Sequence, residues 1–93
     1  INDGEYARVT FEIPLDNTRD ISVWPRTVNG SPRIEIYENN GSEIIAEFTS
    51  LVDDELNKVF LDGSSGVGLN GSQDVFDLLV LNGSVEFDWI VDP

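Results

Sequence analysis

The C-terminal part of the chain, Asp74–Val91, contains two runs rich in β-branched and aromatic residues on either side of Asn82-Gly83. An Asn-Gly dipeptide suits a type I′ turn, because both central residues of that turn need positive φ. In the second run the apolar residues alternate: Val85, Phe87, Trp89 and Val91. Such alternation is typical of a half-buried strand, so the sequence predicts a β-hairpin here.

Similar runs recur along the whole chain and are separated by turn residues. Together with the two runs of the hairpin, they predict about seven strands, the others being Glu5–Leu15, Asp20–Trp24, Pro32–Glu38, Glu43–Ser50 and Asn57–Asp62. The intervening Arg26–Ser31 is predicted to be a loop, and Gly63–Gln73 a flexible one. This spacing favours one all-β domain over residues 1–93, an antiparallel β-sandwich of jelly-roll or immunoglobulin-like type.

The first strand is the longest regular one. Pro14 suggests that the end of this strand lies at an edge or a bend of the sheet. Its inward residues are predicted to be Ala7, Val9, Phe11, Ile13 and Leu15. The larger predicted core residues are Phe11, Ile36, Phe48, Phe87 and Trp89.

The composition argues against several classes of function. The 93 residues carry a net charge of −13, and nucleic acids and anionic membranes instead select clusters of Lys and Arg. No apolar run approaches the roughly 20 residues of a membrane span. The chain has no His and no Cys, so it lacks the commonest general base and any thiol or disulfide chemistry. We therefore expect a protein that is not an enzyme.

Every Asn-Gly in the chain is followed by Ser, which gives four N-glycosylation triplets. Their asparagines are Asn29, Asn40, Asn70 and Asn82. The plainer explanation is that Asn-Gly serves the backbone of four turns and that Ser follows by chance. We favour N-linked glycans and an extracellular or cell-surface location, since all four triplets fall in predicted loops.

Exposed aromatic residues suggest a second possibility, a sugar-binding surface. Tyr6 and Tyr37 lie on the polar faces of their predicted strands, and Trp24 precedes Pro25. Rings of this kind stack on sugars, while guanidinium and carboxylate groups bond the hydroxyls. If the first and third strands are neighbours, the patch would contain Tyr6, Arg8, Arg33, Glu35 and Tyr37. The alternative is that Tyr is simply a good strand former.

The final run, SVEFDWIVDP over Ser84–Pro93, resembles the closing strand of jelly-roll carbohydrate-binding modules. In some of those modules an Asp of this strand binds a structural calcium, which by position would be Asp88. The chain departs from that family at its start, where Glu-rich calcium ligands would be found. As a whole, an acidic, Cys-free β domain dense in glycosylation triplets is similar to domains of archaeal surface layers and extracellular filaments.

Two hypotheses follow. The first is a structural subunit or domain of a glycosylated extracellular assembly, a filament, pilus or surface layer. It would self-associate by donating its N-terminal strand, with Ala7, Val9, Phe11 and Ile13 as the inserted side chains. The second is a non-catalytic carbohydrate-binding module that uses Tyr6, Trp24 and Tyr37.

Overall fold

A computed structural model describes residues 1–39 and 41–92, with side chains described as far as residue 88. Within these ranges the chain forms five strands of one antiparallel sheet and no helix. The strands are β1 (Tyr6–Leu15), β2 (Asp20–Glu38), β3 (Ile44–Phe48), β4 (Asn57–Phe60) and β5 (Gln73–Asp92). The prediction of an all-β antiparallel chain is confirmed, but the described residues form five strands where about seven were predicted.

The sheet has two halves that share the long strands β2 and β5. In the first half the order is β1, the N-terminal part of β5, the C-terminal part of β2, and β3. In the second half β4 pairs with the N-terminal part of β2, which also pairs with the C-terminal part of β5. Strand β1 therefore lies at the edge, as Pro14 suggested.

Strands β2 and β5 must bend sharply. Twenty residues of straight strand, the length of β5, would span about 65 Å. The longest dimension of the domain is 35 Å. The register of the two strands shifts between Thr27 and Asn29, and again between Gly30 and Arg33, which places the bend there.

Two of the Asn-Gly-Ser triplets meet at this bend. Gly30 lies directly opposite Gly83, and both adopt positive φ, as does Asn82. A Cβ atom on Gly30 would lie 2.6 Å from the carbonyl oxygen of Asn82, and one on Gly83 would collide with that of Asn29. Only glycine permits the two backbones to approach this closely.

The predicted Asn82-Gly83 hairpin is therefore wrong, because β5 runs through this dipeptide without reversing. The predicted Arg26–Ser31 loop is wrong for the same reason, since it lies inside β2. Both dipeptides do provide positive φ, but they serve a bend in two paired strands.

One hydrophobic cluster serves both halves of the sheet. Its members from the first half include Ile34, Ile36, Phe76 and Leu78, and those from the second include Ile21, Val23, Val59 and Val85. Of the predicted core residues, Ile36 and Phe48 are buried, while Phe11 and Phe87 are partly buried against the cluster. The side chain of Trp89 lies outside the described residues.

The predicted flexible loop packs against β3. We call residues 63–69 the covering segment. Its main chain bonds β3 three times: Glu47 N–H to Ser65 O (2.9 Å), Val67 N–H to Ile44 O (3.0 Å) and Gly68 N–H to Ile45 O (2.9 Å). Leu69 is buried in the core. The outer edge of β3 is thus occupied by the chain itself.

Candidate functional site

The outer face of the first half gathers the predicted patch. Cross-strand partners point to the same face, so one row runs Tyr6, Leu79, Glu35 and a second runs Arg8, Asp77, Tyr37. β5 lies between the two strands that carry the tyrosines. The predicted first and third strands are thus second neighbours rather than direct ones, and they still share this face.

A shallow depression of about 440 Å³ lies on this face. Its lining comprises Gly4, Tyr6, Arg8, Tyr37, Gly41, Asp77 and Leu79. Of the two tyrosine rings, that of Tyr6 is the more accessible, with 62% of the residue's surface exposed. Tyr37 is half-buried.

Arg8 and Asp77 form a two-pronged ion pair between β1 and β5. Arg8 Nε and Nη2 donate to the two carboxylate oxygens of Asp77 at 2.9 and 3.1 Å. The hydrogen bond and the charge of Asp77 raise the pKa of Arg8 above its ordinary value. The pair holds a guanidinium plane and a carboxylate in fixed positions within the depression.

A second polar group borders the depression on β2 and β3. The Tyr37 hydroxyl donates to Glu35 Oε1 at 2.9 Å, and burial, together with this bond, raises the pKa of Tyr37. Arg33 lies between two carboxylates. Its Nη2 is 3.8 Å from Glu35 Oε2, and its Nε is 3.5 Å from Glu47 Oε1. Its Nε is buried and has no hydrogen-bond partner among the described residues. The hydrogen bond to Glu35 fixes the position of the Tyr37 ring, and the raised pKa keeps its hydroxyl neutral at physiological pH.

This arrangement suits reversible binding. It offers two tyrosine rings, guanidinium donors and carboxylate acceptors on a shallow surface, the combination that recognises hydroxyl-rich or peptide ligands. Among the described residues, no group of three or more His, Cys, Asp or Glu side chains is placed to hold a metal ion. Asp88, the calcium candidate, is exposed and lies opposite Trp24.

Trp24 lies apart from the two tyrosines. It belongs to the second half of the sheet and is about half exposed. A separate depression of about 320 Å³ is lined by Trp24, Arg26, Asp54, Glu86, Phe87 and Asp88. The three predicted sugar-stacking residues therefore do not form one surface.

The glycosylation triplets differ in their positions. Asn29 and Asn82 are exposed but lie within strands, so the prediction that they occupy loops is wrong for both. Asn70 is exposed outside the strands, and Asn40 lies outside the described residues. The Ser84 hydroxyl is buried and donates to Asn2 Oδ1 at 3.0 Å, so this serine also helps to fix the N-terminal segment.

The predicted assembly strand, β1, packs in its own chain. Val9 is buried, while Ala7 and Phe11 are partly buried. The Phe11 ring meets that of Phe76 edge-on at 5.7 Å. Ile13 is 72% exposed, so its predicted inward orientation is wrong. The cause is a register irregularity between Thr10 and Leu15, after which the regular pairing with β5 ends.

The sequence prediction did not place Leu79 or Asp77 with the other residues of the depression. The alternation of β5 contained the signal, because Phe76, Leu78 and Val80 are its buried residues. The residues between them must face outwards. Opposite charges on Arg8 and Asp77 were a further clue to their pairing.

Comparisons with protein-family models, with curated proteins and with solved structures find no match for this chain. Among residues 1–39 and 41–92, no helix has the length and apolar character needed to cross a membrane.

Proposed function

We propose that the chain is a small structural β-sandwich domain that associates with copies of itself in an N-glycosylated extracellular assembly, a filament or surface layer. The observation that carries the proposal is the position of β1. It is a ten-residue outer strand, paired on one side with β5 and on the other with no strand of the described chain. Unpaired edges of this kind recruit further strands.

The sandwich itself is supported by two observations. The apolar residues of both halves belong to a single buried cluster. In addition, only residues 16–19 connect the end of β1, in the first half, to the start of β2, in the second. So short a connection reaches at most about 18 Å, which is enough to cross between two packed layers about 10 Å apart.

Strand donation is the mode of association that we propose. β1 contributes the buried Val9 and Leu15 to the core and, within the described part of the chain, pairs with β5 alone, so a copy of β1 from a neighbour can take the same place on β5. Such an exchange is head-to-tail and propagates as a fibre. Ala7, Val9 and Phe11 would be inserted, while Ile13 would stay outside.

The glycans of this proposal would lie on the outer surface. The side chains of Asn29, Asn70 and Asn82 are exposed, as an attached sugar requires. Intact mass of natively sourced protein, measured before and after deglycosylation, tests this part. A mass equal to that of the bare polypeptide would contradict it.

Cysteine pairs test strand exchange directly, because the chain has no cysteine of its own. Tyr6 and Leu79 are cross-strand partners on β1 and β5. One chain carries Tyr6→Cys and another carries Leu79→Cys, and the two are refolded together at high concentration and oxidised. Exchange predicts disulfide-linked mixed oligomers, identified by mass.

The matched control places both cysteines in one chain, where an internal disulfide shows that the geometry permits the bond. If this control forms its internal disulfide while the mixed chains stay unlinked, strand exchange is wrong.

A second candidate function is carbohydrate binding, and the shared depression favours it. Tyr6 and Tyr37 lie on either side of the Arg8–Asp77 pair within one depression. Calorimetric titration with oligosaccharides tests this function. Binding weakened about tenfold or more by Tyr37→Ala, but unchanged by Trp24→Ala in the separate depression, would support it. The absence of saturable binding across a panel of glycans would contradict it.

A further inference from the structure

The main-chain groups on the outer side of β1 can be assigned residue by residue. Gly4 N–H donates to Val80 O at 2.8 Å, and Val80 N–H donates to Glu5 O at 2.9 Å. The main-chain N–H and C=O of Val80 therefore point towards β1. In antiparallel pairing, successive residues direct their main-chain groups to opposite sides. Continuing the register, Ala7 and Val9 bond β5. The N–H and C=O groups of Tyr6, Arg8 and Thr10 therefore point away from the sheet.

The side chains along this edge complement a second copy of the same strand. Arg8 and Glu12 are exposed, oppositely charged and four residues apart. In an antiparallel pair centred on Thr10, each Arg8 lies opposite the Glu12 of the other chain, which gives two ion pairs related by symmetry. A pair centred on Arg8 instead sets two like charges against each other. The charges therefore favour the register centred on Thr10 over the one centred on Arg8.

We propose that β1 is the docking surface for β1 of a second copy, joined antiparallel around Thr10 into a continuous sheet across a two-fold axis. Such an interface uses the same surface on both partners and closes at the dimer. The proposal goes beyond strand exchange and does not require it. The edge is open whether its own β1 or a donated one occupies the place beside β5.

Charges and proline are also known defences of sheet edges. Pro14 lies beyond residues 8–12, the five that pair about Thr10 in the proposed register, so it limits the length of the pairing. The Arg8 guanidinium has five N–H donors, and it uses two of them, on Nε and Nη2, to bond Asp77. The other three can bond a second carboxylate. Opposite charges at matching positions disfavour wrong registers while favouring this one.

The test is sedimentation velocity at about 0.15 M salt, where charges are screened beyond about 8 Å. Thr10→Pro removes the central outward N–H without removing a bond to β5, and circular dichroism and urea unfolding verify that the variant folds. Glu12→Lys gives a second, independent variant. Its matched control is Glu43→Lys, an exposed residue outside the strands with the same change of charge.

We expect the wild type and Glu43→Lys to dimerise with similar affinity, and Thr10→Pro and Glu12→Lys to dimerise at least about tenfold more weakly. A wild type that stays monomeric up to about 1 mM would overturn the proposal. So would dimers that both β1 variants leave unchanged. Larger polymers with the same mass distribution in Thr10→Pro would overturn edge pairing while leaving strand exchange standing.

Discussion

The two outer strands of the first half, β1 and β3, end the same sheet in different ways. The outer edge of β3 is bonded by the covering segment through Ser65, Val67 and Gly68. The outer edge of β1 has no such cover among the described residues, although β1 is twice as long, ten residues against five. One edge is closed by the chain, and the other is left open.

The covered edge shows how a segment without regular secondary structure can close the side of a strand. Gly66 lies so close to β3 that a Cβ atom would stand 2.7 Å from the carbonyl oxygen of Ile45. At Gly66 the segment therefore approaches β3 more closely than a residue with a side chain could. β1 has no such segment along its edge among the described residues, where Arg8, Thr10 and Glu12 are exposed. In our account this edge is available to a partner.

Replacing the large core residue of each edge strand gives the largest expected effect. Phe48 of β3 is buried, so Phe48→Ala should lower the free energy of unfolding by about 3–5 kcal/mol through lost burial and a cavity. Phe11 of β1 is only partly buried, so Phe11→Ala should cost about 1–2 kcal/mol. Urea unfolding measures both. Equal losses would contradict the difference between the strands.

Detaching the covering segment from β3 should give the next largest loss in the free energy of unfolding. Gly66→Ala forces the covering segment away and breaks its three main-chain bonds, which contribute about 0.5–1.5 kcal/mol each, so we expect a loss of about 2–4 kcal/mol. The opened edge should also promote aggregation, measured by light scattering. Gly71→Ala is the control, since a Cβ there meets no atom within 4 Å and only its positive φ is strained. Similar losses in both variants would show that the cover contributes little.

Two exposed carboxylates should give a smaller, pH-dependent effect. Asp62 accepts hydrogen bonds from Ser64 at the start of the covering segment, and Asp16 accepts them from Thr18 in the turn after β1. These bonds lower the pKa of both carboxyls. Because the folded-state pKa is the lower one, their stabilisation is present above the unfolded-state value of about 3.9 and is lost as pH falls through the folded-state value.

Asp62→Asn and Asp16→Asn keep an acceptor but remove the charge. We expect each variant to unfold at lower urea than the wild type at pH 6 and to show a smaller deficit at about pH 2.5, because the wild-type carboxyls take up protons as the pH falls towards their lowered folded-state pKa. A deficit of the same size at both pH values would mean that the charge is not the cause.

The alternation of apolar residues was sufficient to predict an antiparallel all-β chain, but not the continuity of its strands. Asn29-Gly30 and Asn82-Gly83 have the local chemistry of hairpin turns. Their long-range pairing, Gly30 opposite Gly83, makes them a shared bend instead. Local sequence cannot separate these outcomes, because the deciding contact joins residues about 50 positions apart. The covering segment was missed for a similar reason, since only its contact with β3 gives it order.

The face of the candidate site followed from the same alternation. Tyr6, Arg8, Glu35 and Tyr37 were predicted on the polar sides of their strands, and they do share one face. Strand order was not accessible, so Asp77 and Leu79 of the intervening β5 were not placed with them. Nor could local pattern show that Trp24 lies in the other half of the sheet.

Amide hydrogen exchange can compare the two edges one N–H at a time. On β3 and the covering segment, Glu47 and Val67 have main-chain partners. On β1, Arg8 and Thr10 point outwards in our assignment, whereas Val9 bonds β5 and serves as the control within the same strand. The measurement is made by NMR on dilute protein, below the concentration at which copies associate.

We expect the amides of Glu47, Val67 and Val9 to exchange more slowly than those of Arg8 and Thr10, on the order of a hundredfold. Of these five amides, only those of Arg8 and Thr10 should exchange more slowly when the protein concentration is raised. If the amides of Arg8 and Thr10 are as protected as that of Glu47 in the dilute sample, the outer edge of β1 is not open to a second copy.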